Sequence, residues 1–439
     1  MGSMLLLGGR VIDPAGGFDQ RADIAVEGDR IAAIGSDLDR ASANLLIDAS
    51  GLIVCPGLID PHVHLREPGH EDKETIASGT RAAVAGGFAT VCCMPNTRPA
   101  IDSPEIVRSV LERARAVGRC RVFPVAAGTA DRAGERLTEI RLLAEAGAVG
   151  ISDDGDVIES AGMMRTVLRA AAAAGLAFMQ HCQDPTLTRN AAMHAGEVST
   201  RLGLTGWPRV AEEIIIERDV RLVRETGCRY HVQHISSAGS VEIVRRAQAD
   251  GLPVSAEASP HHLLLTDQAC DGYNTLAKMN PPLREQADVE AIRDAVAQGV
   301  ISVLATDHAP HTSENKALPF DQAPFGIIGL ETALAAYAEA LLDTGRLDWA
   351  GLIRRMTTGP ADLCGLDAAH RGREGLGRLA VGGPADITVI DPDHEWTVTA
   401  DDLAGKSVNT PFLGRRFRVR PVATIVGGLV AMNRIPATV

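Results

Sequence analysis

The segment from Asp60 to Arg66, with the sequence DPHVHLR, holds the densest group of reactive side chains in this chain of 439 residues. Its two histidines, His62 and His64, follow the apolar run Gly57 to Ile59, which is typical of a buried strand. Because alternate side chains of a strand point to the same face, His62 and His64 are expected on one side, roughly 6 to 7 Å apart along the backbone. Two imidazoles that converge at a strand end can bind a divalent metal ion.

A His-x-His pair also arises by chance in a chain with 13 histidines, so the pair alone does not establish a metal site. Its position in the fold carries more weight. If strands and helices alternate after it, a parallel barrel brings the carboxyl ends of its strands to one mouth, where active sites of that fold lie. Further ligands are then expected at the other strand ends.

The middle of the chain shows this alternation. Eight apolar segments are typical of buried strands: Gly57 to His64, Thr90 to Met94, Arg121 to Ala127, Ala148 to Ser152, Ala177 to His181, Arg229 to His234, Pro253 to Ala258 and Ile301 to Asp307. Helical patterns lie between them: Ser103 to Val117, Leu137 to Ala146, Met163 to Ala174, Val210 to Glu225, Ser240 to Ala249 and Val289 to Gln298. The alternation predicts an α/β fold, a (β/α)8 TIM-type barrel at residues 57–374.

The two chain ends have a different texture, with short strands between Gly, Asp and Pro turns. The candidate strands are Leu5 to Leu7, Arg10 to Asp13, Ala22 to Glu27, Arg30 to Gly35, Leu45 to Ile47, Ile387 to Ile390, Trp396 to Val398 and Ala423 to Val426. Residues 4–56 and 375–439 are therefore expected to pair into one small β-sandwich domain.

Composition limits the class of partner and the compartment. The net charge of -13 argues against a nucleic acid or an anionic membrane as partner. No apolar run approaches the ~20 residues of a membrane span, and the start lacks the layout of a signal peptide. The eight cysteines form no CxxC pair and are expected as reduced core thiols of a cytoplasmic protein. A small anionic substrate would need local cations, from a metal or from arginine.

Polar side chains collect at the ends of the predicted strands. Besides His62 and His64, the strand ends supply Asn96, Asp153, Asp154, His181, His234, Asp307 and His311. Histidine and carboxylate ligands suit zinc, and their number exceeds the needs of one tetrahedral ion, which favours two metals with a bridging carboxylate. Asp153 and Asp154 point to opposite faces, and the pattern does not decide between them. His231 is expected to face away as a structural residue, whereas His70, His194, His370 and His394 lie in polar or turn contexts and are expected in solvent.

Nine short strings of the chain resemble the amidohydrolase superfamily and, within it, the class I dihydroorotases of bacterial type. They are PGLIDPHVHLREPG, MPNTRP, SDDG, QHCQD, VQHIS, SPHHLLLTD, KMNPPLR, ATDHAPH and APFGIIGLET, and the resemblance extends over residues 4–439. It implies the barrel with a small β-sandwich. It also implies zinc, one or two ions with two favoured, on His62, His64, Asp154, His181 and His234, with Asp307 as metal neighbour and catalytic acid/base. An aspartate stands in the SDDG segment, where many superfamily members have a carbamylated lysine.

The implied reaction is the reversible cyclisation of N-carbamoyl-L-aspartate to L-dihydroorotate in pyrimidine biosynthesis. Zinc would make water reactive near pH 7, and Asp307 would move the proton. By the resemblance, Arg66, Asn96 and His311 bind the substrate carboxylate, while Asn280 and the backbone of Phe325 and Gly326 bind the ring amide. His64 is expected to contact the substrate as well. A guanidinium can grip a carboxylate through two hydrogen bonds.

Other interpretations stay open at this point. Another cyclic amidohydrolase, such as an allantoinase or a hydantoinase, would share fold and metals but usually has the bridging lysine and lacks the pairing of Arg66 with Asn96. A non-catalytic partner of aspartate transcarbamoylase would typically have lost metal ligands. The sequence leaves open the oligomeric state, a homodimer included, and an association with aspartate transcarbamoylase. The segment Thr312 to Pro324 is either a mobile cover over the site or a surface loop.

Overall fold

Eight parallel strands form the centre of the molecule. The computed structural model describes residues 3–367 and 375–435. Its barrel strands are Leu58–Val63, Phe88–Cys93, Arg121–Ala126, Gly150–Ile151, Ala177–Gln180, Tyr230–Val232, Val254–Ala258 and Val303–Leu304, each paired with the next along the chain. A parallel bridge between Val63 and His308 joins the end of strand eight to strand one. The eight predicted strands and the predicted barrel are confirmed.

Helices surround this barrel, and the six predicted ones begin within three residues of their predicted starts. They are Ile76–Ala85, Pro104–Val117, Ile140–Ala146, Ala161–Ala174, Val210–Thr226, Ala238–Ala249 and Gln286–Ala297, followed after strand eight by Ala333–Tyr337, Trp349–Met356 and Thr358–Leu363. Ser103 accepts a hydrogen bond from the Ile106 amide and Pro104 occupies the first turn, which fixes the start of the second helix as predicted. The first of them, Ile76–Ala85, was not predicted because its small residues show no clear apolar period.

The two chain ends meet in one hydrogen-bonded sheet. Its strands are Ser3–Asp13, Phe18–Glu27, Arg30–Gly35, Leu45–Asp48, Ile53–Pro56, Ile387–Asp391, Arg420–Val426 and Leu429–Asn433. The link between the ends is the antiparallel pair of Ile53–Pro56 with Ile387–Asp391. Buried side chains of both ends form a hydrophobic cluster separate from that of the barrel. The exact domain boundaries, 4–56 and 375–439 against 57–374, stay a prediction, since residues 368–374 lie outside the described part of the chain.

Two details of the end region differ from the expectation. Leu5 to Leu7 and Arg10 to Asp13 belong to one strand, Ser3–Asp13, whose register shifts between Leu6 and Gly9. Trp396–Thr397 pairs with Arg416–Phe417 in a small sheet of its own and not with the main sheet. The indole of Trp396 belongs to a hydrophobic cluster with Ala335 and Ala336, so burial against the barrel helix determines where this strand lies.

The segment after strand eight packs onto the mouth of the barrel. It contains the helical turn Ser313–Lys316, and Phe320 and Ala323 are buried. The central residues 317–319 are exposed, so both predictions for Thr312 to Pro324, a mobile cover and a surface loop, stay predictions. Among the described residues, no helix is long and apolar enough to cross a membrane.

Candidate metal and substrate site

Six side chains predicted as metal ligands come together at the mouth of the barrel. This metal cluster comprises His62, His64, Asp154, His181, His234 and Asp307, all buried and placed at or just beyond the ends of strands one, four, five, six and eight. The nearest nitrogen-to-oxygen distances are 3.1 Å from His64 Nε2 to Asp307 Oδ1, and 3.4 and 3.5 Å from His62 Nε2 to Asp154 Oδ1 and Asp307 Oδ1. His181 Nδ1 lies 2.9 Å from His234 Nε2.

These spacings fit a metal ion. Two ligand atoms at about 2.05 Å from a tetrahedral zinc are about 3.3 Å apart, close to the distances in the cluster. Two sets of three side chains have ligand atoms within 4.8 Å of one another: His62 with His64 and Asp307, and His62 with Asp154 and His234. His62 Nε2 is buried and has no hydrogen-bond partner among the described residues. The residues of the metal cluster therefore suit divalent metal binding.

Asp154 has the central position in the metal cluster. Its Oδ1 lies 3.4 Å from His62 Nε2, 3.8 Å from His181 Nδ1 and 3.9 Å from His234 Nε2, whereas Oδ2 faces His64. Asp153 turns away and accepts the backbone N–H groups of Gly128 and Thr129 at 2.8 and 3.1 Å. Of the two aspartates, Asp154 is thus the one that faces the histidines.

Electrostatics keep the carboxylates of the metal cluster ionised. Burial would raise the pKa of Asp307, but His62 and His64 outweigh it and lower that pKa. The pKa of Asp154 is likewise lowered far below its usual range, against burial, by His62 and His234. Burial would lower the pKa of His62, yet the charges of Glu257, Asp307 and Asp154 raise it. A buried site with this excess of negative charge attracts cations.

Glu257, on strand seven, orients His62 and was missed in the sequence. Its Oε1 lies 2.6 Å from His62 Nδ1 and 3.2 Å from the His234 backbone nitrogen, and its Oε2 lies 3.0 Å from His231 Nε2. A carboxylate that holds Nδ1 directs Nε2 of the same ring towards a metal. The available signal was an acidic residue inside the otherwise small and apolar strand Val254–Ala258.

A cavity of about 180 Å³ opens beside the metal cluster. The predicted substrate contacts line it, and we call them the substrate wall: Arg66, Asn96, Asn280, His311, Phe325 and Gly326. His64, which belongs to the metal cluster, also faces the cavity, and its Nδ1 lies 2.8 Å from Asn96 Oδ1. The volume lies below the 300–1,000 Å³ typical of drug-sized sites, so the cavity suits a small substrate.

Arg66 brings a cation into this cavity. It is 9% exposed, its Nε donates to the Pro310 carbonyl at 3.3 Å, and burial lowers its pKa to about 10, which leaves it charged. Among the described residues, no carboxylate oxygen lies within 4.0 Å of its nitrogens. A buried guanidinium without an anionic partner is costly, and a substrate carboxylate would supply that partner.

Two buried polar atoms of the substrate wall are also available for hydrogen bonds with a ligand. Asn280 donates from Nδ2 to Gln183 Oε1 at 3.0 Å, while its Oδ1 and the Nδ1 of His311 have no hydrogen-bond partner in the described chain. Burial lowers the pKa of His311 to about 2, so the ring is neutral. At Gly326 the φ angle is 146°, and a Cβ atom would lie 2.7 Å from the Ala309 carbonyl oxygen. Only glycine allows this close approach.

Three residues of the site have left-handed backbone conformations. The φ angles are 60° at Arg66, 30° at His234 and 49° at Asp307. Side chains other than glycine rarely adopt this region, and such outliers cluster at functional sites.

Two of the remaining histidines differ from expectation. His194 is buried, not solvated, because Arg284 Nη1 lies 3.2 Å from its Nδ1 and donates to the Trp207 carbonyl. His231 contacts Glu257 and so lies on the side of the metal cluster, because the strand ends at Val232 and the backbone turns before His234. His70 and His394 are partly exposed, and His370 lies outside the described residues.

Comparison with known proteins places the chain in a family. A family model described as Dihydro-orotase-like matches residues 51–240. The chain is 47% identical over 432 residues to a dihydroorotase of Pelobacter propionicus, covering 98% of this chain and 100% of that protein. A dihydroorotase of Geobacter metallireducens is 46% identical over the same shares. The chain belongs to the dihydroorotase family of enzymes.

Solved structures extend the likeness beyond the dihydroorotase family. An L-hydantoinase (dihydropyrimidinase) from Arthrobacter aurescens has a TM-score of 0.88 and 26% identity, covering 100% of this chain and 98% of that one. A dihydropyrimidinase from Brevibacillus agri has a TM-score of 0.84 at 22% identity, covering 98% and 95%, and shows the fold alone. The fold is thus shared with cyclic amide hydrolases, whereas the higher identity over nearly the full chain lies with the dihydroorotases.

Proposed function

We propose that the chain is a dihydroorotase, which interconverts N-carbamoyl-L-aspartate and L-dihydroorotate in de novo pyrimidine (UMP) biosynthesis. The observation that carries the proposal is Arg66, a buried cation that has no carboxylate partner in the described part of the chain and lies in the same small cavity as the metal cluster. Both compounds have a carboxylate that Arg66 can bind. Full-length similarity to dihydroorotases supports the same reaction.

We further propose that the metal cluster holds zinc, with two ions favoured over one. Six ligating side chains exceed the four positions of one tetrahedral ion, and the two oxygens of Asp154 face different histidines. His62 and His64 with Asp307 would form one set, and His181 with His234 the other. Zinc in such a site would lower the pKa of a water ligand to about 7 and polarise the ring carbonyl.

Asp307 is the proposed acid/base. Its carboxylate is ionised, and Oδ1 lies 3.1 Å from His64 Nε2 at the edge of the cavity. In ring opening it would accept the proton of the attacking water and pass it to the departing ring nitrogen. In the biosynthetic direction it would take the proton from the carbamoyl nitrogen and deliver it to the oxygen that leaves as water.

The substrate wall is proposed to orient the ring. Arg66, with Asn96 and His311, would hold the carboxylate that does not react, and Asn280 Oδ1 would accept from a ring N–H. The Gly326 N–H donates to the Lys278 carbonyl, so it is the Gly326 carbonyl, through its second lone pair, that would accept from a ring N–H. Fixing both ends of a small ring places its reactive carbonyl beside the metal cluster, which lowers the entropic part of the barrier.

Turnover of three cyclic amides by the purified protein tests the reaction. After loading with zinc, we expect hydrolysis of L-dihydroorotate with a kcat/KM at least 100-fold above those for hydantoin and allantoin. Metal content per chain, measured on the same sample, gives the stoichiometry. Hydrolysis of only hydantoin or allantoin would contradict the proposal and assign the chain to the hydantoinases or the allantoinases.

The remaining proposals concern the setting of the enzyme. The eight cysteines are buried and free, which supports a reducing compartment, and we propose the cytoplasm. A homodimer and an association with aspartate transcarbamoylase stay predictions. Light scattering behind a sizing column, with and without that enzyme, tests both.

A further inference from the structure

Asn409, which lies outside the barrel, forms hydrogen bonds with two segments of the substrate wall. Asn409 lies in the segment Ala404 to Phe412, which crosses the mouth of the barrel, and it is 2% exposed. Its Oδ1 accepts the His311 backbone N–H at 3.0 Å, while its Nδ2 donates to the carbonyls of Ala309 at 3.0 Å and of Gly326 at 3.1 Å. Both Nδ2 protons and one lone pair of Oδ1 are therefore used on two stretches of the substrate wall.

The orientation of the amide follows from its partners. A flipped amide would place Oδ1 against two carbonyl oxygens and Nδ2 against an N–H group, so only one orientation satisfies all three. The backbone of Asn409 adds a fourth link, since its carbonyl accepts the Ile328 N–H at 3.1 Å. A buried amide with this many partners fixes the relative position of the chains it joins.

The segment that carries Asn409 is itself anchored to the barrel. Glu331 Oε1 accepts the backbone N–H groups of Ala404 and Gly405 at 2.9 and 3.3 Å. The Ser407 hydroxyl donates to the Lys73 carbonyl at 2.8 Å. The chain just before Asn409 is therefore fixed to the barrel, which holds the Asn409 side chain in place.

We propose that Asn409 is a positioning residue for substrate binding: it holds the backbone of His311 and Gly326, which lie against each other on one side of the cavity. This inference rests on the proposed function. Asn409 does not line the cavity, so it acts through the residues it holds. Its loss should weaken ground-state and transition-state binding alike, which raises KM more than it lowers kcat.

Two substitutions test whether the hydrogen bonds of the Asn409 side chain, and not only its volume, are needed for substrate binding. Asn409→Ala removes all side-chain bonds, whereas Asn409→Asp keeps the volume and the acceptor for His311 but loses both donations. We expect each to raise KM for L-dihydroorotate at least tenfold, with kcat within threefold of wild type and metal content unchanged. Because the aspartate variant also buries a negative charge, the uncharged Asn409→Ala is the deciding variant, and the unchanged kcat and metal content show that the fold is intact. Should the aspartate variant not fold, Asn409→Ser takes its place.

Gln248 provides a matched control. Its side-chain amide also donates to two carbonyls, those of Val254 at 3.1 Å and Val300 at 2.9 Å, at the start of strand seven and before strand eight. Both carbonyls lie at the opposite end of these strands from the metal cluster. Gln248→Ala should leave KM unchanged.

Hydrogen exchange gives a readout that does not depend on turnover. In the zinc-loaded protein, Asn409→Ala should speed amide exchange in peptides within residues 308–329 at least tenfold, while Gln248→Ala should not. Wild-type KM and wild-type exchange in the Asn409 variants would overturn the inference. If wild-type protein does not act on L-dihydroorotate, the proposed function fails, and the exchange comparison still decides whether Asn409 holds this segment.

Discussion

The metal cluster and the substrate wall lie side by side but are built differently. The metal cluster stands at strand ends, and its side chains bond mainly to one another and to Glu257 on strand seven. The substrate wall stands on loops and is held by polar side chains from distant segments, such as Asn409. The barrel thus determines the chemistry, whereas the loops and the end region determine the fit of the substrate. Substitutions in the two regions should therefore change different kinetic constants.

The largest effect is expected at Asp307. Asp307→Asn keeps the shape but cannot accept the proton, so kcat for ring opening should fall about 10²- to 10⁴-fold. The variant is assayed after zinc loading, with metal content measured in parallel. Activity within tenfold of wild type at equal metal content would contradict the role of Asp307 as acid/base.

Arg66 tests the substrate wall in the same assay. Arg66→Lys keeps the charge but loses the planar fork, so KM for L-dihydroorotate should rise about 10- to 100-fold with a smaller change in kcat. Arg121→Lys is the control, since Arg121 pairs with Asp386 at 2.6 Å at the start of strand three, away from the cavity. An unchanged KM in Arg66→Lys would contradict the expectation that substitutions in the substrate wall mainly change KM.

Glu257 tests whether the metal cluster depends on its supporting carboxylate. Glu257→Gln should weaken zinc affinity about 10- to 100-fold, because His62 loses the charge that directs its ring. Competition with a chelator of known affinity measures this change. Glu212→Gln is the matched control, since Glu212 is equally buried but accepts the backbone N–H groups of Ser236 and Ser237. Equal zinc affinities in the two variants would show that Glu257 does not orient His62.

The smallest effect concerns two buried lysines behind the substrate wall. Lys316 Nζ donates to the Pro324 carbonyl at 2.9 Å, and Lys278 Nζ donates to the Phe320 carbonyl at 2.5 Å. Burial lowers the pKa of Lys316 to about 7 and that of Lys278 to about 8. An unfolded lysine titrates near 10.4, so above pH 7 the unfolded chain binds more protons and the free energy of unfolding rises with pH.

Lys316→Met should remove part of this rise. Between pH 7 and pH 9, the increase in the free energy of unfolding should be about 2 kcal/mol smaller than in wild type. Urea unfolding of metal-free protein at the two pH values measures it. Lys406→Met, at an exposed lysine, should keep the wild-type slope. The same slope in both variants would mean that Lys316 titrates normally.

The sequence predicted the metal cluster far better than the supports of the substrate wall. Strand ends can be located from local patterns, so His62, His181 and Asp307 were found from their place in the chain. Glu257 lies 195 residues from His62, and Asn409 lies 98 residues from His311. Such contacts depend on how the closed barrel and the end region pack, and the local spacing of apolar residues in the sequence does not predict that packing. Asp153 and Asp154 show the same limit, since the backbone turn after strand four decides which of them faces the histidines.

The left-handed backbone at Arg66, His234 and Asp307 lowers the stability of the fold at residues that the activity requires. Glycine would adopt these φ angles without steric strain, whereas each of the present residues gives up about 1 kcal/mol or more of folding free energy. Glycine, however, carries neither a ligand atom nor a charge. Substituting glycine at these positions to raise the melting temperature would therefore give a more stable protein without activity. Stabilising substitutions should be placed in the end sheet and the outer helices instead.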